Sequence, residues 1–162
     1  MSLRDLMLNR RVALAGLLAL AGCGFTPVYG PGGVGNALFG QIETRAPQTA
    51  EDFAFDRRIT ERLGTVTTPR FALNYDLRIA SVGQAITADE VTTRYALNGT
   101  AAFALRDPAG ATVAQGEVSS FTSYSATGTP VATTAAERDA RERLARMLAD
   151  QVVTQLLASA AR

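Results

Sequence analysis

Between Phe71 and Leu105 the apolar residues fall on every second position. Phe71, Leu73, Tyr75, Leu77 and Ile79 share one parity, and Ala72, Asn74, Asp76, Arg78 and Ala80 share the other. Residues 83–90 read as a turn, after which Val91, Tyr95, Leu97, Ala101, Phe103 and Leu105 repeat the alternation opposite Arg94, Asn98, Thr100 and Arg106. A period of two sends successive side chains to opposite faces, so both segments are expected to be half-buried strands. Asp107-Pro-Ala-Gly110 carries proline at the second position of a four-residue turn, which predicts type I geometry and a hairpin onto residues 112–125. In that third strand the apolar parity changes between Val113 and Val118, across Gly116, and predicts a bulge there.

The meander needs a cover for its apolar face, and two segments of helical period supply one. Thr49-Ala-Glu-Asp52 resembles a capping box with Asp in place of Glu, ahead of Phe55, Ile59 and Leu63 at spacing four; Gly64 closes the helix. The clearest element is a helix over residues 135–160, capped by Thr133 or Thr134, with Leu144, Leu148, Val152 and Leu156 at spacing four. Along it Glu137/Arg141, Asp139/Arg143 and Glu142/Arg146 each place the acid four residues ahead of the arginine, the favourable order. Residues 37–44, ALFGQIET, alternate weakly and are expected to form a first strand. The order strand, helix, three strands, helix gives an α+β fold, with two helices packed on one face of a four-stranded, mostly antiparallel sheet.

The first 22 residues are read as an address and not as part of this fold. Arg4, Arg10 and Arg11 precede an uncharged run over residues 12–21, VALAGLLALA, half the length a membrane-spanning helix needs, so a signal peptide is expected. The run ends in Leu20-Ala21-Gly22-Cys23, the form of a bacterial lipobox, in which the thiol is alkylated with diacylglycerol. That gives the chain's one cysteine a use that requires no partner. Residues 23–35 then form a lipidated tether rich in Gly and Pro, and residues 36–162 a single domain. Loss of residues 1–22 removes Arg4, Arg10, Arg11 and Asp5 and turns the formal charge of +1 into −1. Gly24 after the cysteine, by analogy with enteric sorting, favours the outer membrane.

Composition excludes most catalytic machinery. The chain has no His and no Lys, all 16 of its basic residues being arginine, so neither a Ser-His-Asp triad, a Cys-His pair nor a Schiff-base lysine can be built. With one thiol and no imidazole it cannot close a structural zinc site, and no metal or cofactor is expected. Near-neutral charge gives no electrostatic footprint for nucleic acid. The adjacent Asp89 and Glu90 are read as a solvated loop pair, and Gly30-Pro-Gly-Gly33 lacks the lysine and strand-loop-helix setting of a phosphate loop. The hydroxyl-rich run over residues 119–129 is read as an outward strand face leading into a loop. Tyr75, Tyr95, Phe103 and Phe121 are read as core or cross-strand aromatics, with a lipid pocket lined by them as the sharper alternative.

Taken together, the lipobox continuing as Cys23-Gly-Phe-Thr-Pro-Val-Tyr29, the meander with Thr93-Arg-Tyr-Ala-Leu97, and the helix opening Ala135-Ala-Glu-Arg-Asp-Ala-Arg-Glu-Arg-Leu144 resemble the LptE family of lipopolysaccharide-assembly lipoproteins in its alphaproteobacterial form. The resemblance implies a non-enzymatic outer-membrane lipoprotein, held on the periplasmic side by lipid on Cys23. It also implies a plug inside the LptD β-barrel that supports barrel assembly and lipopolysaccharide transport. The family's basic ligand residues fall near Arg94, Arg141 and Arg143 here, while the corresponding loop, Thr87-Ala-Asp-Glu90, is acidic. Arginine suits the task because its planar fork donates two parallel hydrogen bonds to a phosphate. The competing reading is a periplasmic lipid-binding or scaffolding lipoprotein without a barrel partner.

Overall fold

The alternating segments fold as three long antiparallel strands in a computed structural model that describes Gly30, Gly33, residues 35–86 and residues 92–160. These are β2 (Phe71–Ile86), β3 (Thr92–Arg106) and β4 (Thr112–Ser125). A short β1 (Ile42–Thr44) joins the β2 edge in parallel, giving the order β1-β2-β3-β4. The helices are a single turn, α1 (Gly35–Leu38), then α2 (Ala50–Leu63) and α3 (Pro130–Ala160). The α+β expectation is met, with α2 and α3 covering one face of the mostly antiparallel sheet.

The parity read from sequence is the parity of burial. Leu73 and Tyr75 of β2 pair with Leu105 and Phe103 of β3 on the covered face. Four expectations need correction. β2 continues through residues 83–86 instead of turning there, with register shifts around Ala85 that let the ladder reach Ile86 opposite Thr92. The bulge is at Val113, not Gly116: β4 pairs in unbroken register from Ala114 to Ser125, and the shift lies between Leu105 and Arg106, where Val113 is squeezed out toward solvent. Gly116 stays in the covered row, and its side-chain space is taken by the Phe103 ring and Gln155. The first strand shrinks to three residues because residues 35–38 coil into α1 and Gly40, at φ +68°, reverses the chain. Lastly, α3 starts at Pro130, five residues ahead of the expected start. Thr129 caps it, its Oγ1 accepting from the Ala132 N–H (3.3 Å), and proline occupies the first position, where no N–H is needed.

The capping box of α2 forms as read. Thr49 Oγ1 accepts from the Asp52 N–H (3.1 Å), while Asp52 Oδ2 accepts from the N–H groups of Thr49 (3.2 Å) and Gln48 (3.1 Å). At the other end Gly64 has φ +81°, and a Cβ there would stand 2.7 Å from the Phe39 ring, so only glycine suits both the backbone and this close approach. Leu144, Leu148, Val152 and Leu156 of α3 are fully buried. They seat on β3 at Gly99, whose missing side chain leaves room for Leu144 and Leu148. The two helices run parallel. Glu51, in the first turn of α2, faces Arg141 of α3, and Asp150 accepts from both Arg58 (3.0 Å) and Arg62 further along.

Tyr75 sits at the heart of this packing. Its ring lies 4.4 Å from that of Phe55 and under the Arg45 guanidinium at 4.2 Å, but its buried hydroxyl has no hydrogen-bond partner among the described residues. Burial, aided by the Asp52 and Asp56 carboxylates against Arg45, pushes its pKa up to about 12. An unmade hydrogen bond costs its group's desolvation. Tyr75→Phe is therefore expected to leave urea-denaturation stability unchanged or to raise it by about 1 kcal/mol; a loss above 1 kcal/mol would reveal a partner for the hydroxyl.

Candidate functional site

The three arginines singled out from sequence stand on three different surfaces. Arg94 belongs to the outward row of β3, exposed on the bare sheet face opposite the helices and level with Ser125 of β4. Arg141 and Arg143 are two residues apart on α3, which turns their side chains to opposite flanks of the helix. Arg141 leans toward α2, bonding Glu137 (2.8 Å) and lying 3.7 Å from Glu51. It lines an open cleft over β2 that also holds Arg45, Glu51, Asp52 and Asp76 above Leu77 and Ile79. Three carboxylates against two guanidiniums leave that cleft no net attraction for an anion.

Arg143 leans the other way, over β4. Its Nε and Nη2 donate to Thr122 Oγ1 (3.4 and 3.3 Å), Nη2 also donates to the Ser123 carbonyl (3.4 Å), and Nη1 pairs with Asp139. The guanidinium is thus held by the strand, yet about two-fifths of the side chain stays exposed. Of the three, Arg143 is the arginine both oriented by its surroundings and reachable from solvent.

Beside it is a group that sequence reading did not assemble. Tyr95 and Tyr124, opposite each other on β3 and β4, stack at 5.3 Å and 13° on the covered face. Burial raises the Tyr124 pKa; the Glu137 carboxylate adds to this, and a hydrogen bond with Ser81 opposes it. The signal was the even parity of Thr122 and Tyr124 with Val118, which sets Tyr124 on the covered face opposite Tyr95. Phe121 has the opposite parity to Val118 and stands 74% exposed on the bare face, away from Tyr75, Tyr95 and Phe103. The four aromatics therefore do not line one pocket. The hydroxyl-rich run is divided likewise, Ser120 and Thr122 lying in the covered row while Ser119 and Ser125 face out. Cys23, Asp89 and Glu90 lie outside the described residues. Among the described residues no group of three or more acidic, His or Cys side chains could hold a metal ion.

Solved structures share this two-layer architecture. A candidate lipoprotein from Caulobacter crescentus CB15 is 20% identical, with a TM-score of 0.65 over 78% of this chain and 96% of its own. Rare lipoprotein B from Shewanella oneidensis is 10% identical, with a TM-score of 0.57 over 74% and 93%. The minor lipoprotein from Acinetobacter baumannii is 17% identical, with a TM-score of 0.53 over 73% and 89%. At such identities the likeness is one of fold: an α+β domain of two helices on a meander with one parallel edge strand. No curated protein matches the chain. The family is settled by sequence: residues 36–156, nearly all of the folded domain, match the LptE lipopolysaccharide-assembly family, and the chain belongs to it.

Proposed function

We propose that this chain is an outer-membrane lipoprotein that plugs an LptD-type β-barrel, supports its assembly and takes part in moving lipopolysaccharide to the cell surface. In this reading residues 1–22 are a signal peptide, Cys23 carries the lipid, residues 23–35 are the tether, and the domain from residue 36 onward acts without enzymatic chemistry. The observation that carries it is the family match across the whole α2–sheet–α3 unit. The bare face of the sheet supports it, because the short polar residues Asn98, Thr100, Gln115 and Ser119 can line a wet barrel interior. Pull-down of the lipidated protein from detergent-solubilised membranes is expected to recover one large β-barrel protein; recovery of the chain alone would favour a lipoprotein that works without a barrel.

Of the arginines proposed to contact lipopolysaccharide phosphates, Arg143 is foremost because it is both fixed and accessible; Arg94 stands apart on the bare face, and Arg141 is already balanced by Glu137 and Glu51. A hydrogen bond between charged partners contributes about 1.5–3 kcal/mol, so Arg143→Glu is expected to weaken lipopolysaccharide binding by the purified domain about 10- to 100-fold. Unchanged affinity, with the fold intact by circular dichroism, would remove Arg143 from the site.

A further inference from the structure

We propose that, before a barrel encloses the domain, the end of the sheet where the chain enters it is a bilayer-contacting pole, which rests Phe39, Val66 and Val113 on the lipid leaflet that holds the anchor. This rests on the reading of Cys23 as the lipidated residue.

The pole is assembled by the strand ends. Ile42 pairs with Phe71, Ala72 with Arg106, and Arg106 with Thr112, so β1, the start of β2, the turn after β3 and the bulge at Val113 lie in one row across the sheet. The segment between α2 and β2 is tied to the same end, with Thr67 N–H donating to the Gly40 carbonyl (2.9 Å) and Arg70 N–H to that of Gln41 (2.9 Å). Three large apolar side chains are left outside the core here: Phe39 is 54% exposed, Val113 49% and Val66 38%. The Phe39 ring is braced against Gly64, which has no side chain to push it away. Arg70 and Arg106 are exposed beside them and form no ion pair among the described residues, so their long side chains are free to reach headgroup phosphates. Two acids share this end, so overall charge is not what selects the surface: Glu43 is exposed, while Asp107 Oδ1 is occupied by the N–H groups of Ala109 and Ala111.

Chain length selects the occupant. Gly30 is bound to α1, its carbonyl accepting from Asn36 Nδ2 (2.9 Å) one turn before Phe39. Only six residues lie between it and Cys23, and the seven steps reach at most about 25 Å. The opposite end of the molecule, marked by the start of the 31-residue α3, is about 45 Å away at 1.5 Å per residue. A lipid on Cys23 therefore holds Gly30, and the Phe39 pole beside it, within about 25 Å of the leaflet, while Val131 stands at the end of the molecule farther from the anchor. Apolar side chains seated at that depth add to the hold of the acyl chains.

The chain has no tryptophan, so single substitutions report depth without background. The lipidated full chain carrying Phe39→Trp or Val66→Trp is reconstituted into phosphatidylcholine vesicles containing phosphatidylcholine brominated on its acyl chains. Both variants are expected to show blue-shifted emission that the bromine quenches, whereas Val131→Trp and Phe121→Trp emit as in water and are not quenched. Vesicle-bound protein with an unquenched Phe39→Trp and Val66→Trp overturns the proposal and leaves the anchor intact. Quenching of Phe121→Trp instead shows the sheet lying flat on the leaflet and overturns it as well. Protein that stays in solution, with Cys23 unmodified by mass spectrometry, overturns the anchor reading, and the proposal falls with it.

Discussion

Phe55→Ala is expected to cost about 3–5 kcal/mol of folding stability, a fall in Tm on the order of 10–20 °C for a domain of this size. Phe55 has no exposed surface and packs against Tyr75 at 4.4 Å, joining α2 to the sheet at the point where the two layers meet. The substitution loses three terms together: the transfer free energy of the ring, the aromatic pairing, worth about 0.5–1.5 kcal/mol, and the contacts lining the new cavity. Collapse around the hole is restricted, because α2 is pinned to α3 by Arg58 and Arg62 on Asp150 and to the sheet by Arg45 on Asp52. Phe53, two residues earlier on the same helix, is the internal control. It is 61% exposed, so Phe53→Ala is expected to stay within about 0.5 kcal/mol of the parent. Urea denaturation followed by circular dichroism decides the matter, and equal losses for the two variants would mean that α2 is not docked through Phe55.

How far the fold could be read from the sequence depended on how local each determinant is. The parity of Phe71 through Ile79 and the capping box at Thr49 involve near neighbours, and both appear as read. The bulge is different. A change of parity between Val113 and Val118 is visible in the chain, but its position is fixed by the Phe103 ring and Gln155, which fill the space beside Gly116 and leave Val113 as the residue to extrude. That displacement changes the face only of residues 114–116; the faces of Phe121 and Tyr124 follow from the parity of Val118 wherever the bulge lies. The start of α3 was missed because its first ten residues contain no buried side chain, so no apolar stripe announces them. Recognition of the family reached the candidate arginines but not their separation, since neighbours two apart on a helix look in different directions and a strand residue's face is a property of the sheet.

The second large effect is expected at Asp52, and its signature is a dependence on pH. This carboxylate is 4% exposed. Burial alone would raise its pKa, but the Gln48 N–H, the Arg45 guanidinium at 2.7 Å and the Thr49 N–H together hold it below its ordinary value. A carboxyl whose pKa is depressed on folding stabilises the fold above its unfolded pKa, about 3.9, and that stabilisation is lost as pH falls through the folded value. Asp52→Asn retains an oxygen for the capping amides but cannot pair with Arg45 and can turn an amide donor toward it. At pH 7 the variant is expected to be about 2–3 kcal/mol less stable than the parent, given the worth of a hydrogen bond to a charged partner. The pairing is only partly shielded, Arg45 being 29% exposed, which keeps the figure below that of a fully buried ion pair. As pH drops below about 4 the unfolded parent takes up a proton that the folded carboxylate still resists, and the gap between the two denaturation midpoints should narrow until the folded value is passed, since every other carboxyl is common to both proteins. A gap that stays constant from pH 7 to pH 3 would place the cost in the shape of the cap and not in the charge that Asp52 shares with Arg45.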